Sequence, residues 1–209
     1  MDLPFSLDEY ADRMAKARHS MQEQGIELLI VTDPSNMAWL TGYDGWSFYV
    51  HQCVLLSLDG PPIWYGREQD ANGAKRTVFM DHGNIHYYED HYVQSTEKGW
   101  DKQHIGVEMD NYYFTAAAYA SLLTNLPNAK FQDATALVNW CRAVKSEQEL
   151  VYMRRAGRIV EEMHKRIVEV IEPGIHKNTL VSEIYATGIN GTDSFGGDYP
   201  AIVPLLPSG

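Results

Sequence analysis

The stretch RAVKSEQELVYMRRAGRIVEEMHKRIVEVIEPG, residues 142–174, decides how the rest of the chain is interpreted. Ser146 and Glu149 form the pattern of a capping box, in which the serine hydroxyl accepts from the Glu149 amide and the carboxylate accepts from the Ser146 amide. Pro173-Gly174 ends the run that follows. The pattern predicts one amphipathic helix of about 26 residues, roughly 39 Å long. The positions that recur on its apolar stripe are Leu150, Met153, Gly157, Val160, His164, Ile167 and Ile171.

This helix divides the chain by its position. We interpret it as a packing element without chemistry of its own, because an amphipathic face requires only a surface to pack against. Residues 1–140 have the pattern of one complete α/β domain, and residues 141–209 that of a linker helix and the opening part of a second domain.

Composition indicates a folded protein and disfavours two classes of partner. Of the 209 residues, 44% are hydrophobic, which can supply a core. No apolar run approaches the 18 or so residues of a membrane-spanning helix, and the N-terminus lacks the basic flank and apolar stretch of a signal peptide. The formal net charge of -11 disfavours nucleic acid and anionic membranes. We therefore expect a cytoplasmic protein that binds a small molecule or another protein.

The first 140 residues alternate helical and extended patterns. Ser6 and Glu9 suggest a second capping box, and the apolar run 26–31 is typical of a strand covered on both faces. The turn 59–61 lies between two β-rich runs, 48–58 and 62–65, which predicts an antiparallel hairpin. The fold class is therefore predicted as α/β, a mixed sheet flanked by helices. The later elements are predicted as helical at 68–79 and 115–126, as extended at 84–89 and 104–108, and as partly extended at 130–138.

Three other patterns are weak candidates for chemistry. His82, His86 and His91 could be metal ligands, but an extended segment sends alternate side chains to opposite faces and disfavours their convergence. The glycine-bearing stretch 188–192 follows a helical pattern, whereas a dinucleotide fingerprint follows a strand. No spacing pairs the carboxylates Glu108, Asp110, Asp193 and Asp198 for acid–base work. The two cysteines, Cys53 and Cys141, suit reduced thiols better than a disulfide.

Two motifs together carry a family resemblance. Residues 33–36 (DPSN) with 39–43 (WLTGY) resemble the N-terminal motif of the creatinase/prolidase/aminopeptidase P family. Arg142, Lys145, Ser146, Glu149 and the run 153–156 match, at the right distance downstream, the linker and first helix of that family's pita-bread domain. The run GGDYPAIV at 196–203, followed by Ser208-Gly209, is similar to the ectoine-hydrolase branch more than to the peptidases.

The resemblance implies where catalysis takes place. It implies a creatinase-type N-terminal domain followed by the first helices and strand of an α+β pita-bread domain. The family's catalytic groups, either five metal ligands or a histidine without metal, match no position up to Gly209. We therefore assign no catalytic residue, metal ligand or cofactor to this chain, and expect a full-length protein that is either metal-free or dependent on a divalent metal. The apolar segment 201–206 needs sheet neighbours, so we expect the natural protein to continue further.

Trp46, Phe48, Tyr49 and His51 are the candidate substrate-binding residues. On a strand, Trp46 and Phe48 would face one way and Tyr49 and His51 the other. They could equally fill the core or a subunit interface. The resemblance implies a homodimer in which the N-terminal domain covers the partner's active site, with Phe48 against the substrate. Creatinase follows that aromatic residue with an arginine, whereas this chain has Val50, which argues against creatine.

The function that the resemblance implies is hydrolysis of a C–N bond in a small zwitterion such as ectoine. An aromatic face suits the delocalised amidinium of that substrate, at about 0.5 to 2 kcal/mol. Two alternatives remain open: an Xaa-Pro dipeptidase or aminopeptidase with two metal ions, and a non-enzymatic module for dimerisation or binding.

Overall fold

The computed structural model describes residues 3–45, 50–88 and 100–199, together with Ile202. Contacts divide the chain into two units, Met1–Val144 and Lys145–Gly209. The domain boundary predicted between residues 140 and 141 falls at the end of a short helix of the first unit. The division of the full-length protein into domains at this point stays a prediction.

A mixed sheet is the centre of the first unit. Its described strands lie in the order β4-β3-β2-β1-β5-β6. The pairs β1–β2 and β2–β3 are antiparallel, whereas β1–β5, β5–β6 and β3–β4 are parallel. The predicted hairpin and the mixed character of the sheet are both confirmed. The strands are β1 Leu28–Val31, β2 Cys53–Ser57, β3 Ile63–Arg67, β4 Ile85–Tyr88, β5 His104–Val107 and β6 Lys130–Asp133.

Helices cover both faces of this sheet. Leu29 and Val31 of β1 point into a large core, and Leu28 and Ile30 point into a smaller core on the opposite face, which α4 covers. All four strand residues are buried, as the continuous apolar run predicted. The helices of the first unit are α1 Leu7–Glu23, α2 Pro34–Thr41, α3 Glu68–Thr77, α4 Ala116–Asn125 and α5 Leu137–Cys141.

The N-terminal motif builds a tight turn from β1 into α2. The Asp33 carboxylate caps α2 by accepting from the Asn36 amide at 3.0 Å, and Pro34 starts the helix. Gly42 ends it with φ of 79°, and a Cβ there would lie 2.7 Å from the Tyr10 hydroxyl oxygen. A glycine is therefore required at the end of this motif, both for the left-handed backbone and for the close approach.

The second unit contains the predicted long helix, α6 Glu147–Val170, followed by α7 Lys177–Asn190. The capping box is confirmed: Ser146 accepts from the Glu149 amide at 3.2 Å, and the Glu149 carboxylate accepts from the Ser146 amide at 2.8 Å. At Ser6 the hydroxyl also accepts from the Glu9 amide, while the Glu9 carboxylate accepts from Arg13.

The face that α6 buries differs from the predicted stripe. Met163 lies against α7 at Gly188, where a Cβ would be 3.3 Å from the Met163 sulfur, and Arg166 donates to Glu183 at 2.8 Å. Met153 and Val160, both on the predicted stripe, are about half exposed. The helix has apolar residues on two faces, and α7 covers one of them.

None of the helices in the described ranges is long and apolar enough to cross a membrane.

Candidate functional site

Three of the four predicted substrate-binding residues, Trp46, Phe48 and Tyr49, lie outside the described residues. Their prediction is neither confirmed nor contradicted. The described ends of this segment are joined to each other, because the Tyr43 hydroxyl donates to Gln52 Oε1 at 2.7 Å. Tyr43 and Gln52 are both buried, so the bond fixes the chain on each side of residues 46–49.

His51, the fourth predicted residue, lies just before β2. Its backbone carbonyl accepts from the Tyr88 hydroxyl at 2.8 Å, which ties the segment to the edge strand β4. The strand predicted from residue 48 begins, among described residues, only at Cys53. The His51 side chain keeps exposed surface, yet the atoms crowded around it displace water and lower its pKa from the ordinary histidine value. This shift favours the neutral imidazole.

Aromatic rings lie near His51, and two neighbouring groups have raised pKa values. The Tyr65 and Tyr88 rings lie 5.6 Å apart, and burial raises the pKa of Tyr65 to about 12. Cys53 is paired with Tyr65 across the hairpin, and burial raises the pKa of its thiol to about 12 as well. The two rings could meet a cation through their faces. Arg67, the partner of Tyr88 across β3 and β4, also lies on this surface and is paired with Asp70 at 2.9 Å.

The histidines weighed as a metal cluster do not converge where they are described. His82 Nε2 is 2.9 Å from the Lys75 carbonyl oxygen, and His86 lies on the edge strand β4. His91 lies outside the described residues. Across the described ranges, no three His, Cys, Asp or Glu residues are grouped so that they could hold a metal ion.

A polar network lies at the carboxyl ends of the parallel strands β1 and β5. Glu108, 4% exposed, accepts from the Thr32 and Asp33 amides at 2.8 and 2.9 Å. Its carboxylate also accepts from Asn36 Nδ2 at 2.6 Å and from Asn111 Nδ2 at 3.0 Å. Five residues form what we call the Glu108 cluster: Asn36, Glu108, Asn111, Asn139 and Arg142.

Sequence reasoning missed this cluster, although it identified some of its members. Asn36 belongs to the first family motif and Arg142 to the second, and Arg142 donates to Asn36 Oδ1 at 2.6 Å. The two motifs are thus bonded to each other in the fold. A carboxylate directly after the buried strand 104–107 is the signal that points to this edge of the sheet, where ligands and helix N-termini of α/β folds meet.

The comparisons with known proteins match this architecture. The family model of the creatinase/prolidase N-terminal domain matches residues 13–144. The chain belongs to the creatinase/prolidase family. This match spans the first resemblance motif and confirms the predicted family.

Curated relatives place the chain within the family. Ectoine hydrolase from Halomonas elongata is 59% identical, over 100% of this chain and 57% of the relative. The uncharacterised hydrolase/peptidase y4tM from Sinorhizobium fredii is 42% identical over 97% of this chain and 55% of the relative. Creatinase from a Bacillus species is 23% identical over 91% of this chain. The chain spans about half the length of these relatives.

Solved structures show the same fold. A recombinant prolidase from Thermococcus sibiricus aligns with a TM-score of 0.73 at 15% identity, covering 96% of this chain and 54% of that protein. The dipeptidase PepE from Mycobacterium ulcerans aligns with a TM-score of 0.69 at 19% identity, covering 88% and 50%. At these identities the likeness concerns the fold alone.

Proposed function

We propose that the full-length protein is a cytoplasmic hydrolase that opens the ring of ectoine or of a closely similar cyclic amidine. Water adds to the amidine carbon, one C–N bond breaks, and the nitrogen leaves as the amine of an acetylated diaminobutyrate. The observation that carries this proposal is the 59% identity to ectoine hydrolase along the whole of this chain. The Tyr65 and Tyr88 rings near His51 support it, because a delocalised cation binds well to ring faces.

The test is substrate turnover by the full-length protein. Ectoine and an Xaa-Pro dipeptide are offered separately, and products are followed by NMR. We expect ectoine to be consumed and the dipeptide to remain. Turnover of the dipeptide without turnover of ectoine would replace the proposal with a peptidase. Inactivity toward both, in a folded protein assayed with and without added divalent metal, would favour a binding module.

The substrate is proposed to meet Phe48, together with Trp46, Tyr49 and His51, across a homodimer boundary. The 209-residue chain is expected to be inactive alone, since the family's catalytic groups match no position in it. Light scattering of the full-length protein should give a dimer. A monomer at micromolar concentration would contradict the shared site.

Phe48→Ala tests the shared site directly. We expect kcat/KM of the full-length enzyme to fall by roughly 10-fold or more, the equivalent of about 1.4 kcal/mol of lost binding to the substrate. The control is Tyr112→Ala, because Tyr112 is an aromatic residue of the same domain that is 90% exposed and lies outside the proposed subsite. That variant should leave kcat/KM within about twofold.

Mixed dimers decide whether Phe48 acts on its own subunit or on its partner. Phe48→Ala subunits are combined with subunits that lack the downstream catalytic residue, so that each mixed dimer can form one intact composite site. Recovered activity supports sharing. A confirmed mixed dimer no more active than its parents would show that Phe48 does not reach across. If the Phe48 side chain is instead part of the core, Phe48→Ala should lower the free energy of unfolding by about 3 to 5 kcal/mol.

A further inference from the structure

The bonds of the Asn36 side chain have a fixed direction. Its Nδ2 group donates to Glu108 Oε1 at 2.6 Å and to Asn139 Oδ1 at 2.8 Å, and its Oδ1 accepts from Arg142 at 2.6 Å. A reversed amide would set its N–H groups against the Arg142 guanidinium and its oxygen against the Glu108 carboxylate. Asn36 is 1% exposed, so water cannot compensate for such a reversal.

The Glu108 carboxylate also favours this orientation of the Asn36 amide. Its Oε2 atom already accepts from two backbone amides and from Asn111, so Oε1 is the oxygen that faces Asn36. These donors are all neutral, and Arg142 lies one side chain further away. A buried carboxylate is stabilised when a cation lies within a connected hydrogen-bond network, because aligned bonds polarise one another.

We propose that Asn36 is a positioning residue that relays the charge of buried Glu108 to Arg142. The relay holds the Arg142 guanidinium and thereby fixes the backbone of residues 142–144, where the first unit ends. It joins Asn36 of the first family motif to Arg142, the first residue of the second motif. The proposal is independent of the substrate, and it stands or falls separately from the proposed function.

Trypsin measures the release of Arg142 directly. The protease must take the side chain before the cut bond into its own pocket, so cleavage after Arg142 requires that the guanidinium leave Asn36. Cleavage after Lys145, a short way further along the chain, does not require this. The initial rate of cleavage after Arg142, divided by that after Lys145, therefore reports the relay. Global unfolding accelerates both cleavages, so its effect on the ratio largely cancels.

Glu108→Gln should raise that ratio in the 209-residue chain. The side-chain oxygen of the introduced glutamine will keep accepting from the Thr32 and Asp33 amides. The glutamine's side-chain nitrogen then faces Asn36 Nδ2, and the Asn36 amide must turn. The turned Asn36 amide presents a donor to Arg142, which loses this acceptor. We expect the ratio to rise at least about tenfold, the equivalent of one lost charge-assisted hydrogen bond.

Adding Asn36→Asp to Glu108→Gln should reverse the effect. An aspartate carries an oxygen on both sides, so it can accept from the introduced amide and from Arg142 at the same time. The double variant should return the ratio to within about twofold of the unsubstituted chain, well inside one hydrogen bond's equivalent. Glu27→Gln is the matched control, since Glu27 accepts from the His104 amide at the other end of β5. Its ratio should not change.

The outcomes separate cleanly. A ratio that does not respond to Glu108→Gln, or that stays as high in the double variant, would overturn the relay. If Glu108→Gln does not fold, then folding of the double variant is itself the expected rescue.

Discussion

The two units use their apolar residues differently. In the first unit both faces of the sheet are covered, and residues such as Val54, Leu56 and Trp64 are fully buried. In the second unit α6 and α7 cover one another along one face, while Val168 of α6 is 77% exposed. Local bonds contribute more there: the capping box at Ser146 and ion pairs one turn apart hold α6.

The difference shows what an amphipathic pattern establishes. A period of three to four residues predicts a helix with an apolar face, and it does so correctly for α6. It does not say which face a neighbour covers. In the first unit, by contrast, the continuous run 28–31 requires cover on both sides, so the pattern itself predicts the layers.

The same substitution in both units should give the largest contrast. Val54→Ala removes two buried methyl groups from β2 and leaves a cavity, which should cost roughly 1.5 to 3 kcal/mol of unfolding free energy. Val168→Ala on α6 should change it by less than about 0.5 kcal/mol. Denaturant unfolding of each variant checks this. Equal losses would mean that the exposed face of α6 is covered in solution.

Alkaline pH should destabilise the first unit through Cys53. The unfolded thiol loses its proton near a pKa of 9, whereas burial holds the folded thiol's pKa at about 12. Between these values the unfolded state binds fewer protons, so stability is complete below about pH 9 and falls as pH rises, by at most about 1.4 kcal/mol per pH unit.

Cys53→Ala should flatten this decline, as measured by denaturant unfolding from about pH 8 to about pH 11, the window in which the two thiol pKa values differ. Cys141→Ala is the matched control, because Cys141 is only partly buried and should alter the slope less. Equal slopes in the unsubstituted chain and in Cys53→Ala would show that the Cys53 thiol reaches water. The second unit has no cysteine in its sequence, so this contribution belongs to the first unit alone.

Removing either serine cap should give the smallest losses of stability. Each loss should be confined to the unit that contains the cap. Ser146→Ala removes the cap of α6 at a cost of about 1 kcal/mol, and Ser6→Ala removes the cap of α1 at a similar cost. Hydrogen exchange should show faster opening of the second unit in Ser146→Ala. In Ser6→Ala it should show faster opening of the first unit. Acceleration of both units by either substitution would show that they unfold together.

Most of the sheet could be predicted because its signals are local. The turn at 59–61 predicted the β2–β3 hairpin, and the apolar run beginning at Ile26 predicted β1. The short helix α5 was not predicted, because the pattern of 130–138 favours a partly extended segment. It follows Ala136, which has φ of 62°, and no glycine there signals the change of direction.

The Glu108 cluster could not be predicted because its members are far apart in the chain. Asn36 and Arg142 are separated by 106 residues, and no periodicity connects them. Each was identified through a motif, and the bond between them appears only in three dimensions. The substrate-binding predictions at Trp46, Phe48 and Tyr49 rest on resemblance alone and stay predictions.

The position of β1 has a consequence for how the chain folds as it is synthesised. β2 follows β1 closely and can pair with it early, and β3 can pair with β2. The other edge of β1 needs β5, and the Thr32 amide needs the Glu108 carboxylate, 76 residues later. At about 5 to 20 residues per second this is a delay of roughly 4 to 15 seconds. During that interval the nascent chain carries an apolar strand with one open edge, which is a binding site for a chaperone and a hazard without one.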